Sequence, residues 1–416
     1  MSKNDLHTEM LHLPYERPDA YRSLSMPVYH NVAFEFESAE EMEATFCGRM
    51  AGHAYSRITN PTVQYLEKRI QTMQKAFSVT ALNSGMAAIS CTFMTIARAG
   101  ANIVTSPHLF GNTFSLFKNT LEPFGVEIRM CDLTQIEEVR KQIDENTCAI
   151  FMEVITNPQL EVADISSLST IARAFGVPLI ADTTLIPFSI FCAKDLGVDI
   201  EVLSSTKYLS GSGTGLGGII IDYGTSNWLR SPKLATAAQQ HGASAFTNRL
   251  RTEIHRNLGC YMTPHVAYMQ NLGLETVEIR FEKQASTCLQ LAQKLKQTPG
   301  IISVNYTGLE DNPFYEISMR QFGKYPGAML TFDLPSREHC YYFLNHLRLI
   351  RRATNLFENK TFALHPASTI FGTLTKDQQE KMNIKDTTIR LSIGLEGVND
   401  LYDDILNALP RTDIHP

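Results

Sequence analysis

The chain has 416 residues, too many for one ordinary hydrophobic core, so its length alone predicts two domains. Hydrophobic residues make up 44% and charged residues 19% of the sequence, which is a normal balance for a globular protein. The formal net charge of −6 argues against a general role in nucleic-acid binding.

Cysteine usage and hydropathy narrow the cellular setting. The eight cysteines are scattered, with no C-x-x-C pair and no His/Cys cluster at zinc spacing, so we expect free thiols in a reducing compartment and no bound metal. Residues 1–5 contain no apolar core of a signal peptide, and no apolar run is long enough to span a membrane. These features predict a soluble, cytoplasmic protein.

Residues 1–60 are expected to form an extended N-terminal arm. Their prolines are scattered and few segments are periodic, although residues 27–34 could be a short extended piece. An arm of this kind packs on another subunit or is a disordered tail, and its aromatic residues argue against disorder.

Residues 61–255 are expected to form an α/β domain. Asn60 and Pro61 are typical of a helix start, and apolar residues then recur at helical spacing to about residue 76. From residue 79 onward, strand-like and helix-like segments alternate, which indicates a mostly parallel sheet with helices on both faces. Ligands in such sheets bind at the carboxyl ends of the strands. The residues expected at those ends include Ser84, Gly85, Met86, Asp182 and Lys207.

The pattern changes after about residue 255. One long helix is expected over residues 276–297, a period-two strand over 388–393 and a closing helix over 398–409. Residues 256–416 are therefore predicted to form a smaller C-terminal α+β domain.

One lysine, Lys207, lies between hydroxyl residues and ahead of a glycine-rich run, with strand-like segments on both sides. A lysine amine in this setting suits a covalent link to pyridoxal phosphate, and Ser204 and Thr206 could donate hydrogen bonds to the phosphate. The ordinary alternative is an exposed lysine beside a flexible linker, but the flanking strands argue against a linker. The glycines at 213, 215 and 218 also match a dinucleotide-binding pattern, which is weak here because a strand follows instead of a helix.

Other polar residues could complete a site around that lysine. Asp182 could keep the pyridine nitrogen protonated, so that the ring becomes an electron sink, or it could simply cap a loop. Ser84 opens a predicted helix together with Gly85 and Met86, so the backbone N–H groups there suit a phosphate. The alternative for this turn is a helix N-cap without a ligand.

Three residues outside those strand ends are weaker candidates. Arg57 could give a bidentate phosphate contact and Tyr55 could bring a phenol near the chemistry, yet either alone is an ordinary loop residue. Arg390 could bind a substrate α-carboxylate, or it could face water.

Taken in order, these motifs resemble the cysteine/methionine-metabolism family of fold-type I pyridoxal-phosphate enzymes. That family includes cystathionine synthases and lyases, methionine γ-lyase and O-acylhomoserine sulfhydrylases. The resemblance runs from Pro27 to the last helix. The motifs are Tyr55-Ser56-Arg57, Asn60-Pro61-Thr62, Ser84-Gly85-Met86, Glu153 with Asn157-Pro158, Asp182-Thr183-Thr184, Ser204-x-Thr206-Lys207-Tyr208, His365-Pro366-Ala367-Ser368 and Ile389-Arg390-Leu391-Ser392.

The resemblance implies a role for each candidate. Lys207 would carry the cofactor and shuttle protons, and Asp182 would pair with the ring nitrogen. The other cofactor-binding residues would be Arg57, Ser84, Gly85, Met86, Phe110, Thr184, Ser204 and Thr206. Arg390 would bind the α-carboxylate of an amino-acid substrate, assisted by Asn157 and Asn355. Tyr55 and Arg57 would reach into a neighbouring subunit's site, within a homotetramer.

A few positions bear on the reaction. Phe110 stands where the family commonly has a tyrosine that stacks on the cofactor, and residues 355–357 replace the Ser-Leu-Gly of cystathionine-handling members. Both differences resemble the sulfhydrylases, whereas Phe357 and Phe371 match neither branch well. We expect γ-replacement, in which O-acetyl- or O-succinylhomoserine and sulfide give homocysteine for methionine biosynthesis. Methionine γ-lyase and cystathionine γ-synthase or γ-lyase activities are the nearest alternatives. A nucleotide-binding oxidoreductase and a catalytically silent binding protein are alternatives of other classes.

Overall fold

Two β-sheets organise the fold of the computed structural model, which describes residues 6–15 and 21–410. The strands of the first sheet are β1 (Ser78–Leu82), β2 (Asn102–Thr105), β3 (Glu127–Met130), β4 (Thr147–Glu153), β5 (Leu179–Asp182), β6 (Ile200–Leu203) and β7 (Gly218–Asp222). Those of the second are β8 (Ser303–Asn305), β9 (Met329–Asp333), β10 (Arg351–Arg352), β11 (Phe362–Leu364) and β12 (Thr388–Ser392).

The first sheet has the strand order β1-β7-β6-β5-β4-β2-β3, and the second has the order β10-β11-β12-β9-β8. In the first sheet, β7 alone runs antiparallel to its neighbours. The predicted α/β fold, with a mostly parallel sheet and a smaller α+β part, is confirmed. The glycine-rich run leads into β7, so it lacks the following helix that a dinucleotide-binding turn requires.

Helices cover both faces of the first sheet and one side of the second. The α-helices are α1 (Leu6–Leu11), α2 (Ala39–Phe46), α3 (Pro61–Gln74), α4 (Gly85–Ile96), α5 (Gly111–Ser115), α6 (Ile136–Gln142), α7 (Ile165–Phe175), α8 (Ala235–His241), α9 (Ala245–Arg249), α10 (Arg256–Leu258), α11 (Pro264–Leu274), α12 (Val277–Leu295), α13 (Tyr315–Phe322), α14 (Arg337–His346), α15 (Lys376–Lys381) and α16 (Val398–Ala408). Short π-helical segments, Leu116–Leu121 and Leu250–His255, continue α5 and α9.

The N-terminal arm is less irregular than its sequence suggests, because it contains α1 and α2. Helix α2 begins at Ser38, whose side chain accepts a hydrogen bond from the backbone N–H of Glu41. None of its residues is buried, and only Met42 and Phe46 of its eight residues are large and apolar, which is too few to mark a helix in the sequence. The expected extended piece is reduced to one bridge, between Ala33 and Tyr55. Residues 1–5, on which the expectation of no signal peptide rests, lie outside the described residues.

The two sheets fall on either side of the boundary predicted near residue 255. The domain limits themselves stay a prediction. Across the described ranges 6–15 and 21–410, we find no helix that is both long and apolar enough to cross a membrane.

Close backbone packing fixes the segment that carries Lys207. A Cβ atom added to Gly85, at the start of α4, would lie 2.7 Å from the Cβ of Ser204. On Gly273 of α11 it would lie 1.8 Å from the carbonyl oxygen of Leu209. Since such distances are far inside van der Waals contact, both helices reach their positions beside the lysine only because glycine stands there.

We expect Gly273→Ala to lower the free energy of unfolding by on the order of 1–3 kcal/mol, because the new methyl group overpacks a site bounded by backbone. Urea denaturation measures this loss. Leu272→Ala is the matched control on the same helix, since Leu272 is 45% exposed and its truncation should change stability by about 0.5 kcal/mol or less. Equal stability of the two variants would contradict the proposed packing constraint.

Candidate active site

A cavity of about 730 Å³ opens where the carboxyl ends of β4, β5 and β6 meet the first turn of α4. Residues of the second sheet and its loops close the other side. The sequence-predicted residues that line it are Ser84, Gly85, Met86, Phe110, Asn157, Asp182, Thr184, Ser204, Thr206, Lys207 and Arg390. The expected gathering of polar residues at the strand ends is therefore present.

Lys207 presents its amine to this cavity. Its Nζ donates to the Oδ1 of Asn355 at 2.5 Å, which joins the first sheet to a loop that follows β10. Burial and the positive charge of Arg390 lower the pKa of Lys207 to about 8, while the carboxylate of Glu358 opposes that shift. The amine can therefore lose its proton near neutral pH, as a nucleophile or base requires.

Two carboxyl groups lie side by side on neighbouring strands. Glu153 and Asp182 are paired in register at the ends of β4 and β5. Asp182 accepts a hydrogen bond from the backbone N–H of Thr184 at 2.9 Å, and Glu153 accepts one from the backbone N–H of Phe110 at 2.5 Å. Burial, and then the charge of Asp182, raises the pKa of Glu153 well above its usual value. Burial raises the pKa of Asp182 as well, and its hydrogen bonds from Thr184 oppose that rise. The two carboxyl groups thus form an acidic pair at the place where a protonated ring nitrogen could be faced.

The first turn of α4 forms an anion-binding end of the cavity. Ser84 caps this helix by accepting from the backbone N–H of Ala87 at 3.1 Å, and the remaining N–H groups of the turn have no partners within the helix. The Ser204 backbone N–H donates to the Thr184 hydroxyl at 2.9 Å. The Thr206 hydroxyl accepts from the Gly217 N–H at 3.0 Å and lies 3.3 Å from the Gly217 carbonyl oxygen. Thr206 thus ties the lysine segment to the glycine-rich run in addition to lining the cavity.

Arg390 is 2% exposed, so the alternative in which it faces water is wrong. It donates to the Asn157 Oδ1 at 3.1 Å and to the Thr354 carbonyl oxygen at 3.3 Å. Its Nε is buried without a hydrogen-bond partner, and burial lowers the pKa of Arg390 to about 9. An incompletely paired, buried guanidinium is suited to a carboxylate ligand.

Tyr55 and Arg57 do not reach this cavity from their own chain. Arg57 donates to the Arg256 carbonyl oxygen at 2.5 Å, and its guanidinium carbon lies 5.4 Å from the centre of the Tyr55 ring. Tyr55 is 40% exposed. A contribution of either residue to a neighbouring subunit's site stays a prediction.

Of the unusual phenylalanines, Phe110 alone lines the cavity. Phe357 is buried and stacks on Tyr208, with 4.1 Å between ring centres. Phe371 is buried in a separate apolar cluster with Met382 and Ile384. Neither shapes the substrate space directly.

Several site residues have no local sequence signal. The sequence motifs assign no role to Glu153. Thr354, Thr369 and Thr373 belong to none of the motifs, and all four residues line the cavity. Glu358 contacts Asn355 by a hydrogen bond to its side-chain amide. These contacts join residues far apart in the chain, so only the folded structure reveals them.

The arrangement fits pyridoxal phosphate. It combines an amine of lowered pKa, an acidic pair suited to a pyridine nitrogen and a helix N-terminus suited to a phosphate. The Arg390 Nε, which lacks a protein partner, leaves a donor for a substrate carboxylate.

Comparisons with known proteins agree with this chemistry. An L-methionine γ-lyase of Fusobacterium nucleatum is 34% identical, over 99% of this chain and 99% of its own length. A similar crystal structure is that of a protein described as an O-acetylhomoserine (thiol)-lyase from Campylobacter jejuni, with a TM-score of 0.92 and 32% identity. The match covers 97% of this chain and 99% of that one. That structure contains N′-pyridoxyl-lysine-5′-monophosphate. An O-acetylhomoserine sulfhydrylase structure from the methionine biosynthetic pathway of Wolinella succinogenes has a TM-score of 0.75 and 44% identity, and covers 85% of this chain and 99% of that one.

The sequence model of one family, described as Cys/Met metabolism PLP-dependent enzyme, matches residues 7–410. With this match over nearly the whole chain, the protein belongs to the Cys/Met metabolism family of pyridoxal-phosphate-dependent enzymes.

Proposed function

We propose that the enzyme carries out γ-replacement on an O-acylhomoserine, joining it to sulfide to give homocysteine. The observation that carries this proposal is the lining of the cavity. Phe110 lies at the place where a tyrosine would bring a hydroxyl, and no tyrosine, histidine or cysteine lines the cavity within residues 6–15 and 21–410.

The leaving group decides between replacement and cleavage of a thioether. A thiolate leaving from methionine or cystathionine benefits from a general acid, since a thiol titrates near pH 8.5. A carboxylate leaving from an acyl ester needs no proton, because a carboxylic acid titrates near pH 4. A cavity that receives no phenol from its own chain therefore favours the acyl ester. The rival interpretation is that Phe110 only packs and that Tyr55 of a neighbouring subunit supplies the proton.

The chain's own residues have distinct tasks in this proposal. When bound, pyridoxal phosphate supplies an electron sink for the negative charge that develops at the substrate Cα. The Lys207 amine takes the proton from Cα, and Arg390 holds the α-carboxylate with Asn157 at its side. The acyloxy group leaves Cγ as a carboxylate after a proton is lost from Cβ. Hydrosulfide then adds at Cγ, and protons return to Cβ and Cα to give homocysteine. Positioned proton transfer contributes about 10²–10⁴-fold to such steps.

The relatives include both reaction types: the Wolinella sulfhydrylase is 44% identical over 85% of this chain, and the Fusobacterium γ-lyase is 34% identical over 99% of it. The choice between the two reactions therefore rests on Phe110 and not on identity. A methionine γ-lyase remains the alternative, because it needs the same lysine, aspartate and arginine. The strand that follows the glycine-rich run disfavours a nucleotide-binding oxidoreductase. We also propose a cytoplasmic location, because all eight cysteines are free thiols. We propose a homotetramer because the N-terminal arm is exposed.

We expect Lys207→Ala to abolish turnover, because no other lysine lines the cavity within the described ranges. Borohydride reduction of the wild-type holoenzyme, followed by peptide mapping, should place the cofactor on Lys207. The role fails if the cofactor maps to another lysine. Lys283→Ala, at a lysine outside the cavity, serves as the control.

We predict that active sites are shared between subunits, because Tyr55 and Arg57 are held outside the cavity of their own chain. Mixing inactive Arg57→Ala protein with inactive Lys207→Ala protein under conditions of subunit exchange should restore part of the activity. Each variant incubated alone is the control. Absence of recovery, when exchange is confirmed by mass spectrometry of tagged subunits, counts against sharing.

The test of the proposed reaction is a substrate panel. Wild-type enzyme should make homocysteine from an O-acylhomoserine and sulfide much faster than it releases methanethiol from methionine. Phe110→Tyr should narrow this gap, because it restores a hydroxyl in the cavity. The control is Phe124→Tyr, since Phe124 is 74% exposed. Comparable wild-type rates on the two substrates would replace this proposal with the γ-lyase.

A further inference from the structure

A carboxylate behind the candidate lysine has no role in the reaction described so far. Glu358 lies in the loop between β10 and β11, and its Oε1 accepts a hydrogen bond from the Nδ2 of Asn355. The Oδ1 of the same amide accepts from the Nζ of Lys207 at 2.5 Å. Glu358, Asn355 and Lys207 thus form one linear chain of hydrogen bonds.

This series of hydrogen bonds determines the orientation of the Asn355 side-chain amide. An ionised carboxylate can only accept, so it selects the NH₂ end of Asn355. The carbonyl oxygen is then turned toward Lys207, whose ammonium form only donates. If the carboxylate were removed, the amide could rotate and offer Lys207 a donor instead of an acceptor.

The Glu358 carboxylate is held in place by close packing against the glycine-rich run. A Cβ atom on Gly213 would lie 2.1 Å from the Oε1 of Glu358. Gly213 also has a φ of +66°, which side chains rarely adopt. The absence of a side chain at Gly213 leaves room for this carboxylate, and the positive φ is a second reason why glycine stands there.

The surrounding loop is fastened to the lysine segment at further points. The Asn359 backbone N–H donates to the Gly211 carbonyl oxygen at 2.9 Å, and the Gln284 side chain donates to the Glu358 carbonyl oxygen at 2.7 Å. Phe357 stacks on Tyr208, the residue next to Lys207. The loop and the lysine segment therefore pack as one unit.

We propose that Glu358 is a positioning residue: through the Asn355 amide, it holds the Lys207 amine where that amine takes the Cα proton. The inference rests on the proposed role of Lys207. It adds a residue that the sequence motifs did not include.

The charge of Glu358 has a second consequence. The charged groups around Lys207, from the strands and loops that pack against it, are Arg390, Glu358, Asp182, Glu153 and Arg280. Burial and Arg390 lower the pKa of Lys207, and Glu358 raises it. Without the Glu358 charge, the pKa of Lys207 falls further. Since the base acts when it is deprotonated, the rising limb of kcat against pH should move to lower pH.

The test uses the Glu358→Gln holoenzyme. We expect kcat to fall about tenfold or more while KM stays within about twofold, because glutamine can offer Asn355 either an acceptor or a donor and so no longer fixes the amide that positions Lys207. The rising limb of the pH profile should move to lower pH. In an Asn355→Ala background, adding Glu358→Gln should leave the plateau value of kcat unchanged, because the link is already broken, and only the shift of the pH profile caused by the lost charge should persist.

A second readout does not depend on turnover. After removal of the cofactor from the full-length chain, Lys207 can be labelled with acetic anhydride across a pH series and quantified by mass spectrometry. The midpoint of labelling should lie at lower pH in Glu358→Gln than in the wild-type chain. Should Glu358→Gln lose the cofactor absorbance of the folded enzyme, Asn355→Leu breaks the same chain of hydrogen bonds and should lower kcat in the same way.

Glu396→Gln is the matched control. Glu396 accepts from the Thr361 N–H at 2.8 Å and from the Thr361 hydroxyl at 2.7 Å, so it holds the same loop without contacting Asn355. Its pH profile should stay that of the wild type. A wild-type kcat and profile in Glu358→Gln, or the same shift in both variants, overturns the inference. If borohydride places the cofactor on another lysine, the proposed function fails instead.

Discussion

Desolvation of charged groups in one cavity is the constraint on which the rest of the site depends. Burial shifts Lys207 and Arg390 toward their neutral forms by lowering the pKa of each, and it does the same to Glu153 and Asp182 by raising theirs. Lys207, whose pKa falls to about 8, can therefore lose its proton more readily than a water-exposed lysine. The two sheets create this condition, because β12 closes Arg390 over the strand ends of the first sheet.

The strand ends and the lysine could be predicted because their signals are local. Lys207 stands between apolar runs, and Asp182 ends one, so alternation alone places both at one edge of a parallel sheet. The orientation of Arg390 could not be predicted, since a strand of period two tells which residues share a face but not what covers that face. Tertiary closure by the first sheet decides that it is buried.

Other elements escaped prediction for different physical reasons. Helix α2 has eight residues, and only Met42 and Phe46 among them are large and apolar. This apolar periodicity is too short to be recognised as a helix from the sequence. Glu358 carries no sequence signal, because it contacts the glycine-rich run about 145 positions earlier in the chain. Asn355 was expected to assist substrate binding, but its hydrogen bond from Lys207, which spans 148 positions, was not expected. The chemistry of the site was thus readable from the sequence, whereas the groups that orient and tune it were not.

Sulfhydrylases and γ-lyases are both among the relatives, and their reactions share most of their steps. Proton removal at Cα, binding of the α-carboxylate and support of the cofactor are needed by both reactions, so the roles proposed for Lys207, Arg390 and Asp182 suit either one. The reactions diverge only at Cγ, where one needs a proton for its leaving group and the other does not. Phe110 lines the cavity, so it is a position at which a proton donor can be present or absent. Identity averaged over the whole chain therefore reports the shared machinery, and the substrate must be inferred from single positions in the cavity.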